Sequence, residues 1–121
     1  MKDQKRKAFS YGQWGETLAC LYLRVKGYHI LKRNLRHPLG EIDILAKRRN
    51  QLCFIEVKSR KNRSDALSAL SLHQQKRQIN AAKAFLSGNP RYSTCDIRFD
   101  LIAIAPWHWP EHIENAWCEG K

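Results

Sequence analysis

Residues 40–60 read G-E-I-D-I-L-A-K-R-R-N-Q-L-C-F-I-E-V-K-S-R, two runs of alternating polar and apolar residues joined by a short polar turn. In the first run Glu41 and Asp43 share one side, with Ile42 and Ile44 on the other. In the second Glu56 and Lys58 share one side, with Ile55 and Val57 on the other. Successive strand side chains point to opposite faces, so each run gathers its ionisable residues together. A hairpin tipped by Arg49 and Asn50 sets Asp43 opposite Glu56 and Glu41 opposite Lys58. Loops of two or four residues preserve that register, and a loop of three would break it. Three carboxylates and a lysine then share one patch.

Such a patch is costly unless something uses it. Two carboxylates ~5 Å apart at an effective dielectric of ~20 repel by roughly 3 kcal/mol, and like charges directly opposite destabilise a sheet. A divalent cation turns that repulsion into binding, and hard oxygen donors suit Mg²⁺ or Mn²⁺. The plain alternative is a hairpin with a solvated charged face. The meeting of the two motifs across one turn, backed by apolar residues, favours a site.

The chain has 121 residues, enough for one domain with a single core. No apolar run is long enough to span a membrane. The basic start (Lys2, Lys5, Arg6, Lys7) is not followed by an apolar signal region, so the expected location is cytoplasmic. Cys20, Cys53, Cys95 and Cys118 are scattered without a C-x-x-C pair, which argues against a disulfide framework or a zinc site. The formal net charge of +11 is unevenly spread: residues 24–91 hold 16 basic and 4 acidic residues, residues 92–121 hold 2 and 5. Three of those four acids are Glu41, Asp43 and Glu56. A basic surround with an acidic focus is what a metal-dependent enzyme acting on a polyanion requires.

Outward from the hairpin, residues 1–9 read as a mobile basic arm. Ser10 and Gln13 fit a capping box that starts a helix near Tyr11 and ends it at Gly27. Trp14, Leu18, Leu21, Tyr22 and Val25 form one apolar face of that helix, and Ala19, Cys20 and Leu23 a second sector, so the helix should be largely buried. Glu16 falls in the second sector. There it either serves a cation or hydrogen-bond donors, or simply favours the helix dipole. Residues 28–35 read as a first strand and 36–39 as a turn. Asp65 is a candidate cap for a helical stretch at 64–71, which could equally stay irregular. Leu72, Ile79, Ala82 and Leu86 then set a helical stripe ending at Gly88-Asn89-Pro90. Gln75 lies on that stripe, either to meet the charged patch or to reach solvent. Residues 96–105 (D-I-R-F-D-L-I-A-I-A) form an interior or parallel strand, with Arg98 and Asp100 pairing on one face. The remainder reads as a closing loop and short helix. His108 and His112 stand four apart, but Pro110 between them argues against a metal pair. The fold class is α/β, a mixed β-sheet flanked by helices in the order α-β-β-β-α-β.

Asp43 followed one hairpin later by Glu56-Val57-Lys58 resembles the D…(D/E)-x-K signature of the restriction-endonuclease-like PD-(D/E)xK nuclease superfamily. G-E-T-L-A around Glu16, R-N-L before the hairpin, G-E-I-D-I-L, F-I-E-V-K-S-R, the Gln75 helix, R-F-D at 98–100 and I-E-N-A-W at 113–117 resemble the UPF0102 (YraN-like) family in the same order. The resemblance covers roughly residues 12–117. It implies a restriction-endonuclease-like core and a poorly characterised endonuclease role near the Holliday-junction-resolvase branch. It also implies that Asp43, Glu56 and Glu16 ligate Mg²⁺ or Mn²⁺, that Lys58 orients the attacking water, and that Gln75 lines the site. Ile42 stands where the superfamily's name has Pro. Gln74 stands where a Lys is expected beside the helical Gln, with Lys76 as a displaced substitute.

The expected activity is metal-assisted phosphodiester hydrolysis. Lys32, Arg33, Arg36, Arg60, Lys61 and Arg63 would hold the phosphate backbone with little sequence information. DNA is favoured over RNA, and structure-selective cutting (junction, flap or single strand) over a recognition sequence. A junction enzyme of this size would work as a homodimer. The alternatives are a nucleic-acid-binding module with an idle nuclease site, and a basic partner for an acidic protein.

Overall fold

The computed structural model describes the backbone of residues 2–62, 64–65 and 71–117, and the side chains of that set from residue 14 onward. Its elements are α1 (Lys2–Val25), β1 (His29–His37), β2 (Gly40–Arg48), β3 (Gln51–Ser59), α2 (Leu72–Gly88), β4 (Asp96–Ile104) and β5 (Glu111–Trp117), with a 3-10 turn at Pro90–Tyr92. The strands form one sheet in the order β1-β2-β3-β4-β5. All neighbours are antiparallel except β3 and β4, which run parallel from Gln51–Asp96 to Ser59–Ile104 and are joined by the α2 crossover. The expected α/β class, mixed sheet and interior position of β4 are thus present, in the order α-β-β-β-α-β-β, consistent with a restriction-endonuclease-like core.

Two elements differ from the sequence expectation. The helix expected to start near Tyr11 begins at Lys2, so Ser10 and Gln13 lie inside α1 rather than capping it. Lys, Gln, Arg and Ala are strong helix formers, and nothing between Lys2 and Phe9 interrupts them. The expected closing helix is instead β5, which pairs with β4 from Ala103–Glu111 to Phe99–Trp117. Of the stretch 64–71, Ser64 and Asp65 are helical and Ser71 caps α2, while residues 66–70 lie outside the described residues.

The two helices cover opposite faces. On the α1 side Ala19, Cys20, Leu23 and Tyr28 pack against Ile44, Ala46, Cys53, Ile55, Ile102 and Ile104. On the α2 side Ala81, Ala82 and Phe85 pack against Ile42, Leu45, Leu52, Phe54, Phe99, Leu101 and Trp117. In α1 the second of the two expected sectors is the one that is buried, and in α2 the buried stripe is rotated from the one expected. Trp14, Leu21 and Val25 are exposed, and the small residues of the second sector meet the sheet. Closeness explains the choice: a Cβ added at Gly15 would stand 2.3 Å from Ser59 Oγ. Likewise Leu72 is exposed and Gln78, Ala81, Ala82 and Phe85 form the buried face of α2. There a Cβ at Gly40 would stand 2.0 Å from the Arg77 carbonyl oxygen.

One buried polar network ties β4 to β5. Asp100, fully buried, accepts from Arg98 Nε (2.9 Å), His112 Nε2 (2.7 Å) and the Asn115 N–H (2.9 Å). Burial would raise the Asp100 pKa, but hydrogen bonds from His112, Arg98 and Asn115 together hold it below its usual value. Lys26 Nζ donates to His112 Nδ1 at 2.7 Å. His112 therefore belongs to this network, while His108 is exposed in the turn before β5.

Candidate active site

The hairpin tip is the two residues Arg49 and Asn50, and β2 pairs with β3 from Arg48–Gln51 to Ile44–Ile55. This is the expected register, and the described pairs stop one step short of Asp43 and Glu56. At that point Ile44 packs on the α1 side and Ile42 on the α2 side, so they do not share a face as alternation suggested. Asp43 takes a bond the ladder would otherwise carry: Val57 N–H donates to Asp43 Oδ2 at 2.9 Å. Glu56 and Lys58 follow on β3, with Lys58 Nζ 3.2 Å from Glu56 Oε1 and both side chains nearly buried.

Each helix contributes one residue where a glycine lets it approach. Glu16, next to Gly15, has a side chain only 15% exposed, 3.8 Å from Arg33 Nε. With its amide nitrogen turned inward, Asn34 donates to both Glu16 oxygens at 3.3 Å. On the other face Gln78 is 3% exposed and donates through Nε2 to Glu56 Oε2, leaving its own Oε1 buried without a partner.

Burial raises the pKa of all three carboxyls. Desolvation pushes Glu56 up to about 8, and the neighbouring Asp43 adds to it while Lys58 opposes. Asp43 is raised chiefly by burial, moderated by the Val57 N–H, Glu56 and Lys58. Glu16 is raised by burial and then by Asp43, against Arg33 and Arg36. Asp43 and Glu56 hydrogen-bond one another, so the two carboxyls titrate as a coupled pair, both raised by burial.

The structure brings together Asp43, Glu56 and Lys58, with Glu16 on the α1 side. It does not bring Glu41 to Lys58: Glu41 pairs with Arg77 at 3.0 Å and is largely exposed. Gln78, one turn further along the same side of α2 than Gln75, is the residue that meets Glu56. Gln75 is half-buried. Gln74 closes a capping box with Ser71, and Lys76 is exposed. Lys32, Arg33, Arg36, Arg60 and Lys61 are exposed, and Arg33 also donates to Thr17 at 3.2 Å and so braces Glu16. Arg63 lies outside the described residues. A cleft of about 200 Å³ lined by Asn34, Arg36, Glu41, Ile42 and Asp43 opens beside the pair.

Gln78, Asn34 and Arg77 were not among the sequence candidates. Gln78 was findable, since it heads the stripe Gln78-Ala81-Ala82-Phe85 at spacing i, i+3, i+4, i+7. Asn34 sits in the R-N-L motif. Arg77 left no signal of its own. Among the described residues no three His, Cys, Asp or Glu side chains stand close enough to cage a metal ion. Asp43 and Glu56 hydrogen-bond one another beside the unpartnered Gln78 oxygen, and all are hard oxygens of the kind Mg²⁺ or Mn²⁺ takes.

The model of the uncharacterised protein family UPF0102 matches residues 15–104, which hold every site residue named above. The chain belongs to the UPF0102 family. Its relatives include a UPF0102 protein of Nitrobacter winogradskyi, 48% identical over 109 residues and covering 90% of this chain and 92% of that protein. A UPF0102 protein of Rhodopseudomonas palustris is 46% identical over 90% of this chain and 85% of its own. One of Chelativorans sp. is 41% identical over 94% and 92%. The UPF0102 match therefore spans both helix contacts and the hairpin that carries the carboxyl pair. No helix among the described residues is long and apolar enough to cross a membrane.

Proposed function

We propose that this protein is a metal-dependent endonuclease that hydrolyses phosphodiester bonds in DNA, with Mg²⁺ or Mn²⁺ as its cofactor. The observation that carries the reading is the desolvated pair Asp43–Glu56 at the point where β2 and β3 part, with Lys58 beside it. Burying two carboxyls together costs stability, a cost that a bound cation would offset.

Asp43 and Glu56 would hold the cation, with Glu16 joining from α1 and the Gln78 oxygen free to accept from a bound water. A bound cation supplies charge for the phosphate oxygens and lowers the pKa of the attacking water. To take the ion Glu56 must give up its proton, so loading releases a proton and strengthens as pH rises toward 8. Lys58, held by Glu56, stands where it can orient that water and offset the charge that develops on phosphate. Arg36 at the mouth of the cleft and exposed Lys32, Arg60 and Lys61 offer phosphate contacts that carry no base information, which supports structure-selective cutting.

The test is incubation of the purified protein with Mg²⁺ or Mn²⁺ and branched, flapped and single-stranded DNA. Cutting by wild type that Asp43→Ala and Lys58→Ala each abolish is expected. Equal inertness of wild type and variants on every substrate and metal would sink the reading.

A second reading, a nucleic-acid-binding module with an idle site, is favoured by one observation: Glu16 is engaged by Arg33 and Asn34, and among the described residues no third acid closes on the pair. It requires salt-sensitive binding that neither metal nor Asp43→Ala changes.

A further inference from the structure

The turn between β4 and β5 carries Trp107-His108-Trp109 bracketed by Pro106 and Pro110. Trp107 is fully exposed and Trp109 is 87% exposed, in a chain that buries Trp117. Trp107 has φ +65°, a backbone region that bulky side chains rarely adopt. The turn is held in place by the His108 N–H donating to the Ala105 carbonyl and by the burial of Pro110. Two large indoles are thus kept out of the core on a braced, low-entropy support.

Their position gives them a partner chemistry. β3 and β4 run parallel, so the turn leaves the sheet at the end that carries the carboxyl pair. Glu56 pairs with Leu101, Lys58 with Ala103 and Ser59 with Ile104. The Arg60 N–H donates to the Ile104 carbonyl at 3.1 Å, so exposed Arg60 and Lys61 flank the base of the turn. Three residue-to-residue steps of strand lead from Glu56 to Ser59, about 10 Å at ~3.3 Å each, on the order of three stacked nucleotides at ~3.4 Å.

We propose that Trp107 and Trp109 form a stacking platform for unpaired bases, with Arg60 and Lys61 on the adjoining phosphates. The inference rests on the nuclease reading for its geometry and names the substrate class: DNA with single-stranded bases a few nucleotides from the bond to be cut. Indole faces accept any base, so the platform selects strandedness rather than sequence. The neighbouring cations favour a polyanion, and the turn's place on the rim of the carboxyl pair favours nucleic acid over a membrane surface.

The test is metal-free binding of the full chain to fluorescein-labelled single-stranded oligothymidine and to a blunt duplex, by anisotropy at fixed salt. Trp107→Ala/Trp109→Ala should weaken single-strand binding by roughly tenfold or more. It should leave duplex binding within about twofold and the salt slope unchanged, since no charge is removed. Trp107→Phe/Trp109→Phe should restore most of the single-strand affinity, which excludes a folding defect. Equal single-strand affinity of wild type and the Ala variant overturns the platform. So does loss of binding to anionic lipid vesicles without loss of oligonucleotide binding, which would assign the indoles to a membrane surface. Because the readout is binding without metal, an idle enzyme leaves this test intact. Cutting that persists with unchanged single-strand affinity removes the platform and keeps the nuclease.

Discussion

Glu56 concentrates the physics of the site. Its pKa near 8 comes first from burial and then from Asp43, so it ionises in the unfolded chain well before it does in the folded one. Between about pH 4.5 and 8 the native state holds the extra proton, and the linkage relation makes stability fall as pH rises through that window. The metal-free protein should lose on the order of a few kcal/mol across it, read as a falling denaturant midpoint between pH 5 and pH 8. Glu56→Gln keeps the shape and removes the titration, so its midpoint should fall less over the same range. A wild-type slope no steeper than the variant's would mean that Glu56 is already ionised at neutral pH. Gln78 supplies a second residue-scale prediction. Its amide donates to Glu56 from a buried position, and such bonds to charged or charge-sharing groups contribute about 1.5–3 kcal/mol. Gln78→Ala should cut the rate of DNA cleavage about tenfold or more, with Gln75→Ala having the smaller effect. The reverse order would return the site to Gln75.

At the scale of elements, the hairpin was legible because alternation and a two-residue tip depend only on local sequence. Arg49-Asn50 and the Ile44–Ile55 register follow from them directly. The helix faces were not legible in the same way. Trp14, Leu21 and Val25 make an apolar stripe as good as Ala19, Cys20 and Leu23, and periodicity cannot choose between two stripes. The choice lies in how close a backbone can come, which depends on Ser59 and Arg77, far away in sequence. The same cause sets Gln78, rather than Gln75, against Glu56. Nor could alternation show that Ile42 and Ile44 part company at the site, since it assumes an unbroken ladder. β5 was hidden because the residues after Pro110 read as a closing loop and short helix, and the strand is defined only by its pairing with the distant β4. The close approaches are testable. Gly40→Ala meets the Arg77 backbone, which cannot rotate away, and should destabilise by about 1–3 kcal/mol while lowering activity through displacement of Gln78. Gly15→Ala meets the Ser59 hydroxyl, a side chain that can turn aside, and should cost less. Thermal melts of the two variants check the order, and a Gly15→Ala more damaging than Gly40→Ala would contradict the packing.

Across the whole molecule the charge asymmetry and the sheet's polarity point the same way. The strands direct the β1–β2 turn, the end of β3 and the β4–β5 turn to one rim. That rim holds Arg36, Arg60 and Lys61 around the buried acids. The net charge of +11 gives general attraction to a polyanion, but only cations that touch phosphate release counterions on binding. The logarithm of the affinity for duplex DNA should therefore fall linearly with the logarithm of salt concentration. Arg36→Ala and Arg60→Ala should each reduce the slope by about one. Lys83→Ala, on the exposed part of α2, removes the same charge without reaching the rim and should leave the slope unchanged. Affinity measured at four or five salt concentrations separates the cases. A Lys83 effect equal to that of Arg36 would mean that DNA is attracted to the molecule as a whole, with no track leading to Asp43 and Glu56.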